Sequence, residues 1–303
     1  MEPETYHIPA LLPETLSALQ LKPDGVYVDA TYGGGGHSRA IVEQLSLSGH
    51  LYSFDQDDEA VANAMNDERF TMVYSNFRFL RNFMRYYGVK AVDGVLADLG
   101  VSFHHFDAAE RGFSFRHDAP LDMRMNRHSS ISAADMLATM SEADLADTFY
   151  LYGELKQSRR MASAIVKARE AGHPVRTTGQ LLDLLRPMVN PRQEKKELAM
   201  VFQALRIAVN GELDALEQFL EQACGLLAPG GRLAIITYHS LEDRLVKNFM
   251  RTGNIKGQLD KDFFGRTSAP LKMLGSKPIV PSDEEINRNP RSRSAKLRAA
   301  VKL

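Results

Sequence analysis

Val26-Tyr-Val-Asp-Ala-Thr-Tyr-Gly-Gly-Gly-Gly-His37 is the stretch on which the reading of this chain turns. Val26–Ala30 is a short apolar run that carries Asp29 near its end. Thr31–Gly36 is a glycine-rich turn, and His37–Leu47 reads as a helix with Ile41, Val42 and Leu45 on one side. Glycines between a strand and a helix let the backbone approach a ligand closely, and the helix start offers unpaired N–H groups. The spacing departs from the dinucleotide fingerprint G-x-G-x-x-G, and a glycine run is also an ordinary turn. Alone, it is a weak signal.

Strand and helix patterns continue to alternate outward from that turn. Leu51–Asp55, Phe70–Tyr74 and Val92–Asp98 read as strands, and Asp57–Met65 and Phe77–Tyr87 as helices. Continuous apolar strands separated by helices predict a parallel sheet covered on both faces, with ligands at the carboxyl ends of its strands. Asp55 ends the second strand about twenty residues beyond the glycines, where a carboxylate can accept hydrogen bonds from ribose hydroxyls. Paired with the glycine turn it points to a nucleoside ligand, without separating a nicotinamide dinucleotide from S-adenosylmethionine. Phe77 either stacks on an adenine or packs in the core. Asp98 either faces the ligand or caps a loop. His37, His105 and His239 fall at three strand ends, with no spacing that suggests zinc, and no metal is expected.

The rhythm stops after Asp98. Gly100–Ser130 is irregular, and helical patterns succeed it over Ala133–Met140, Glu142–Tyr152, Glu154–Ala171, Gly179–Val189 and Glu194–Leu227. The strand pattern returns after Pro229-Gly-Gly at Arg232–Tyr238. Ser240-x-x-Asp243 then suggests a capped helix over Leu241–Arg251, and Leu297–Leu303 reads as a last strand. The expected organisation is one discontinuous α/β domain, 1–111 with 212–303, interrupted by a helical domain over 112–211.

Composition bounds the function. The 303 residues are 44% hydrophobic and include a single cysteine, Cys224, which excludes an internal disulfide. No apolar run is long enough for a membrane span, and Met1–Pro13 has no secretory pattern, so a cytoplasmic protein is expected. The net charge of −1 hides an asymmetry: Arg244–Leu303 holds fourteen Lys/Arg against five Asp/Glu. Arg291, Arg293, Lys296 and Arg298 make a phosphate-facing tail one reading and a solvated surface the other. Arg111–His128 interleaves arginines with Phe113 and Phe115, as a base-stacking surface would, or as a linker with core anchors would. Tyr152, Arg159, Arg160, Lys167 and Arg169 add further positions for RNA, or are exposed faces.

Several blocks in order give a sharper result. They are His7-Ile-Pro, Asp29 to Arg39, Asp98-Leu-Gly-Val-Ser102 and Glu110-Arg-Gly-Phe-Ser-Phe115. Pro120-Leu-Asp-Met-Arg-Met125, Phe202-Gln-Ala-Leu-Arg-Ile207 with Asn210-Glu-Leu, His239-Ser-Leu-Glu-Asp-Arg244 and Asn289-Pro-Arg-Ser-Arg-Ser294 complete the set. Together they resemble the ribosomal RNA small-subunit methyltransferase H family, also called MraW, across essentially the whole chain. The resemblance implies a class I methyltransferase sheet of Rossmann-like, doubly wound form with an inserted helical domain. It implies transfer of a methyl group from S-adenosylmethionine to N4 of a cytidine in the decoding region of 16S ribosomal RNA, with the small ribosomal subunit as the setting. Carried over by motif, Gly35, Gly36, His37, Asp55, Phe77, Asp98 and His105 would contact the cofactor. Where the family usually shows Ser-Pro-Gln after Val-Ser, this chain has Phe103-His104-His105. Where it shows Phe-His-Ser, this chain has Tyr238-His239-Ser240.

Cytosine's exocyclic nitrogen is a poor nucleophile and needs in-line placement and an acceptor for its proton. Asp98 and His239 are the candidates, and the base must be unpaired or extruded. Three rivals remain: a nicotinamide oxidoreductase on the same fold, a non-catalytic RNA-binding ribosome-assembly protein, and a small-molecule methyltransferase, which explains neither the basic tail nor the insertion. Oligomeric state is not legible.

Overall fold

Tyr27 and Val28 are both buried, so the opening strand is covered on its two faces, as an apolar run without alternation requires. The computed structural model describes residues 8–100, 109–259 and 269–303. Strands β1 (Val26–Asp29), β2 (His50–Asp55), β3 (Phe70–Tyr74), β4 (Val92–Asp98), β5 (Leu227–Thr237), β6 (Leu271–Met273) and β7 (Lys296–Lys302) form one sheet. Their order is β3-β2-β1-β4-β5-β7-β6. The first five are parallel, and β7 runs antiparallel to both β5 and β6. This is the doubly wound, mostly parallel α/β sheet that the alternation of strands and helices implied. Chain order reverses between β1 and β4, so the crevice for a ligand lies at the carboxyl ends of those two strands.

Alternate residues feed the two faces. Val28, Val95 and Ile235 join Phe54, Met84, Phe219 and Phe249 in one cluster, while Tyr27, Leu96 and Ile236 join Ile41, Leu51 and Leu297 in another. The covering helices are α1 (Leu12–Leu19), α2 (Gly36–Val42), α3 (Asp58–Ala62) and α4 (Leu80–Tyr86). Five more, α5 (Ala133–Thr139), α6 (Glu142–Leu151), α7 (Ser158–Glu170), α8 (Thr178–Leu185) and α9 (Glu194–Asn210), interrupt the sheet's chain. After them come α10 (Glu212–Leu226), α11 (Ser240–Thr252) and α12 (Asp283–Arg288). No helix among the described residues is long and apolar enough to cross a membrane.

Two compact units result. The first comprises the chain up to Gly100 and from Leu213 onward, and the second ends at Glu212. The single helical pattern expected over Glu194–Leu227 is broken at Gly211, whose φ of 57° closes α9 in the left-handed region. Pro229-Gly-Gly is an interruption inside β5 and not a turn before it: Val92 pairs with Leu227, but Gly94 pairs with Arg232.

The second unit has its own core of Phe113, Leu121, Met123, Phe149, Ile165, Leu185 and Phe202, among others. The arginine–aromatic stretch therefore packs more than it presents. Phe115 meets Phe202 edge-on at 5.2 Å. Buried Arg111 donates through Nη2 to the carbonyls of Arg124 and Met125, and Arg124 makes a two-pronged pair with Asp122. Asn210 ties two of the sequence blocks together: its Oδ1 accepts from Met125 N–H at 2.8 Å and its Nδ2 donates to the Met123 carbonyl at 2.8 Å. Arg169 caps the carbonyls of Leu137 and Met140. Exposed basic positions that remain include Arg116, Arg127, Arg159, Arg160 and Lys167. Ser132 caps α5 in a reciprocal box with Asp135. Ser132→Ala is expected to cost about 1 kcal/mol in urea unfolding monitored by far-ultraviolet dichroism.

The basic tail is also reassigned in part. Arg298 is buried and donates to both carboxylate oxygens of Asp243, at 2.7 and 3.0 Å, with Lys296 4.0 Å from the same group. Arg298 thus ties β7 to α11 and is withdrawn from any phosphate surface, whereas Lys296 is partly exposed and Arg291 and Arg293 stay exposed. Asn289 donates to the Ile8 carbonyl, and Glu285 accepts from Leu11 N–H, so this block anchors the N-terminal segment.

Candidate active site at the sheet's switch point

Asp29 is fully buried at the end of β1 and pins the glycine turn to the sheet. Its Oδ1 accepts the N–H of Thr31 at 3.1 Å, and its Oδ2 accepts the hydroxyl of Ser38 at 2.6 Å. Ser38 Oγ lies 2.8 Å from Ser53 Oγ, tying α2 to β2. Burial pushes the Asp29 carboxyl up to about 7; the bonds from Ser38 and Thr31 pull it down, and the nearby Asp55 adds to the rise.

The turn between Asp29 and α2 uses its glycines. Gly33 and Gly35 have φ of 51° and 74°, the region L side chains rarely adopt. A Cβ on Gly35 would fall 2.6 Å from the Tyr32 hydroxyl, and one on Gly36 would fall 2.9 Å from Pro9. Gly33 N–H donates to Asp55 Oδ2 at 2.8 Å, and Asp57 N–H donates to Asp55 Oδ1 at 3.0 Å. The glycine turn and the acidic strand end, paired in the sequence by spacing, are thus in direct contact. Asp57, not Asp55, caps α3.

His37 and Asp98 meet across the switch point. His37 is buried, and its Nε2 sits 3.1 Å from the Ala10 carbonyl. That oxygen only accepts, so Nε2 carries the proton and Nδ1 presents a lone pair. Burial lowers the imidazole pKa to about 4, so the ring is neutral at pH 7. Nδ1 lies 3.7 Å from Asp98 Oδ2. The Asp98 backbone N–H donates to the Thr31 hydroxyl oxygen, and Asp98 Oδ1 accepts the Tyr238 hydroxyl at 2.8 Å. The Asp98 carboxyl is pushed up to about 7 by burial, opposed by the Tyr238 bond, with Asp29 and Glu242 raising it further.

The remaining candidates fall differently. His239 is the N-cap of α11, where Ser240 was expected: Glu242 and His239 form the reciprocal box, and His239 Nδ1 faces the Glu242 N–H. Asp243, the expected partner of Ser240, is occupied with Arg298. Phe77 is half-buried and packs edge-on against Phe219 at 5.2 Å. His105 lies outside the described residues. Sequence reasoning missed Asp29, Thr31 and Tyr238 as parts of the site. An Asp with a Thr two residues later was a visible loop signal for the first two. Tyr238 was visible only as a departure from the family's phenylalanine.

Comparison with known proteins supplies the identification. The sequence profile of the MraW methylase family matches residues 4–303. The chain belongs to that family. "Ribosomal RNA small subunit methyltransferase H" of Phocaeicola vulgatus is 58% identical over 299 residues, covering 99% of this chain and 98% of its own. The protein of the same name from Bacteroides fragilis is 57% identical over 301 residues, covering 99% of both. Among solved structures, an rRNA methylase from Streptococcus thermophilus aligns over 100% of this chain and 99% of its own, with 12% identity and a TM-score of 0.41. Family membership makes the chain a methyltransferase and excludes the oxidoreductase considered from sequence.

Proposed function

We propose that this family member transfers a methyl group from S-adenosylmethionine to N4 of a cytidine in 16S ribosomal RNA. The observation that carries the reading is the crowd of carboxyls at the switch point, where Asp29 and Asp98 each titrate near 7. Such a site favours a cationic ligand, because a positive charge beside them restores their ionised forms. S-adenosylmethionine carries a sulfonium and an ammonium, so the donor set fits it. Asp55, which accepts the N–H groups of Gly33 and Asp57 at the end of β2, is the proposed partner of the ribose hydroxyls. Gly35, Gly36, His37, Phe77, Asp98 and His105 are the other proposed contacts.

The bound cofactor supplies an electrophilic methyl group. This chain's residues hold it and take away the proton that N4 loses. Asp98 suits that second task better than His239. Its Oδ2 faces the crevice beside neutral His37, and a carboxyl titrating near neutrality is a competent acceptor at pH 7. His239 turns its Nδ1 onto its own helix. The helical second unit, with its exposed arginines and lysine, is the proposed holder of RNA around an extruded base.

The pH dependence has a definite sign. Only ionised Asp98 attracts a cation and accepts a proton. Cofactor affinity and kcat/KM therefore rise with pH up to about 7 and then level. Below that they fall by up to about tenfold per pH unit. Calorimetric titration with S-adenosylmethionine from pH 5.5 to 8.5 checks this; a flat profile contradicts it. The function itself is tested with labelled cofactor and small subunits from a strain lacking the enzyme, with mass mapping of modified cytidines afterwards. The expected product is N4-methylcytidine in 16S RNA. Absence of label in that RNA overturns the assignment.

A further inference from the structure

Tyr238 comes directly after β5, beside the end of β4, and its hydroxyl donates to one oxygen of Asp98 at 2.8 Å. Four contacts fix where that hydroxyl sits. Asp98 pairs with Ile236 in the sheet, and Leu99 N–H donates to the Ile236 carbonyl at 2.9 Å, locking the two strand ends in register. The Tyr238 N–H donates to Glu242 Oε2 at 3.0 Å, anchoring the residue to α11. The ring lies over Gly100, where a Cβ would come within 3.2 Å of it. On the other side Asp98 is held through its own N–H by Thr31.

We infer that Tyr238 is a positioning residue for methyl transfer: it engages Asp98 Oδ1 so that Oδ2, facing His37, is the oxygen left for ligand and proton. This rests on the reading of Asp98 as the acceptor. Among the described residues, the groups facing Asp98 are Asp29 from β1, Glu242 from α11, neutral His37 from α2 and Tyr238 itself; Glu285 of α12 acts on Tyr238. The carboxyls of Asp29 and Glu242 oppose ionisation of Asp98. The tyrosine hydroxyl favours it, and burial holds that hydroxyl protonated well above the ordinary range. Tyr238 is therefore a donor at every working pH, one that a phenylalanine at this position would lack.

Tyr238→Phe keeps the ring over Gly100 and removes only the hydroxyl. The expected result is a pH profile of kcat/KM whose acidic midpoint moves up by about half a unit to one unit. Activity at pH 6.5 should drop roughly three- to tenfold and recover largely by about pH 9, with the melting temperature nearly unchanged. A purely packing role leaves the midpoint in place, and that outcome overturns the inference. Asp98→Asn run in parallel separates the two layers. If it leaves the acidic limb intact, the reading of Asp98 fails and the inference with it. If it abolishes the limb while Tyr238→Phe does not move the midpoint, the inference about Tyr238 alone fails.

Discussion

Asp98→Asn is expected to lower kcat/KM at pH 7 by about a hundredfold or more and to remove its acidic limb. The substitution keeps the shape and the Oδ1 acceptor for Tyr238, but it deletes the charge and the proton acceptor. Loss of a charged hydrogen-bonding partner is worth about 1.5–3 kcal/mol in binding alone, and loss of general-base assistance about 10²–10⁴ in rate. The two act together here, so the effect on rate should exceed the effect on cofactor affinity. The folded protein should gain stability from the change. Asp98 has its pKa raised by folding, so its contribution is fully present below the ordinary carboxylate pKa and is lost as pH rises through about 7. A neutral amide escapes that loss. Steady-state kinetics and a melting curve at pH 8 check both signs.

Gly35→Ala is the second large effect, and it acts through the backbone. Gly35 combines a φ of 74° with a Cβ position 2.6 Å from the buried Tyr32 hydroxyl. A left-handed conformation costs an L residue about 1–2 kcal/mol, and overpacking a filled site about 1–3 kcal/mol more. Tyr32 has little room to yield, because its hydroxyl donates to the Asn63 carbonyl and accepts from Met65 N–H. The variant should melt several degrees lower and bind S-adenosylhomocysteine at least about tenfold more weakly. Gly33→Ala is the control: its φ is 51°, but a Cβ there meets nothing within 4 Å. It should show the smaller loss. Equal losses in the two would mean that the clash with Tyr32 is not what requires glycine.

Much of this was legible in the residues. The strands Phe70–Tyr74 and Val92–Asp98 have the bounds their sequence predicts, because short apolar-rich stretches closed by Ser75 and Asp98 leave little choice of period or length. The carboxyl-end rule then brought the glycine turn, Asp55 and Asp98 to one place. What escaped was set by contacts distant in sequence. β6 is only three residues long and owes its existence to β7. Ser240 and Asp243 made a plausible cap by spacing, yet Arg298, 55 residues on, claims Asp243. Arg111, Phe113 and Arg124 resembled a stacking surface because interleaving shows residue type and not burial. The partnership of Tyr238 with Asp98 spans 140 residues, and no local pattern announces it.

The proposed function requires an adenosyl group to be held where β1 and β2 end. A crystal of this protein grown with S-adenosylhomocysteine tests it most directly. Ribose hydroxyls are expected within roughly 3 Å of the Asp55 carboxylate, with the amino-acid end of the ligand toward Asp98. Electron density for that ligand elsewhere, with the crevice between the glycine turn and Asp55 empty, would contradict it.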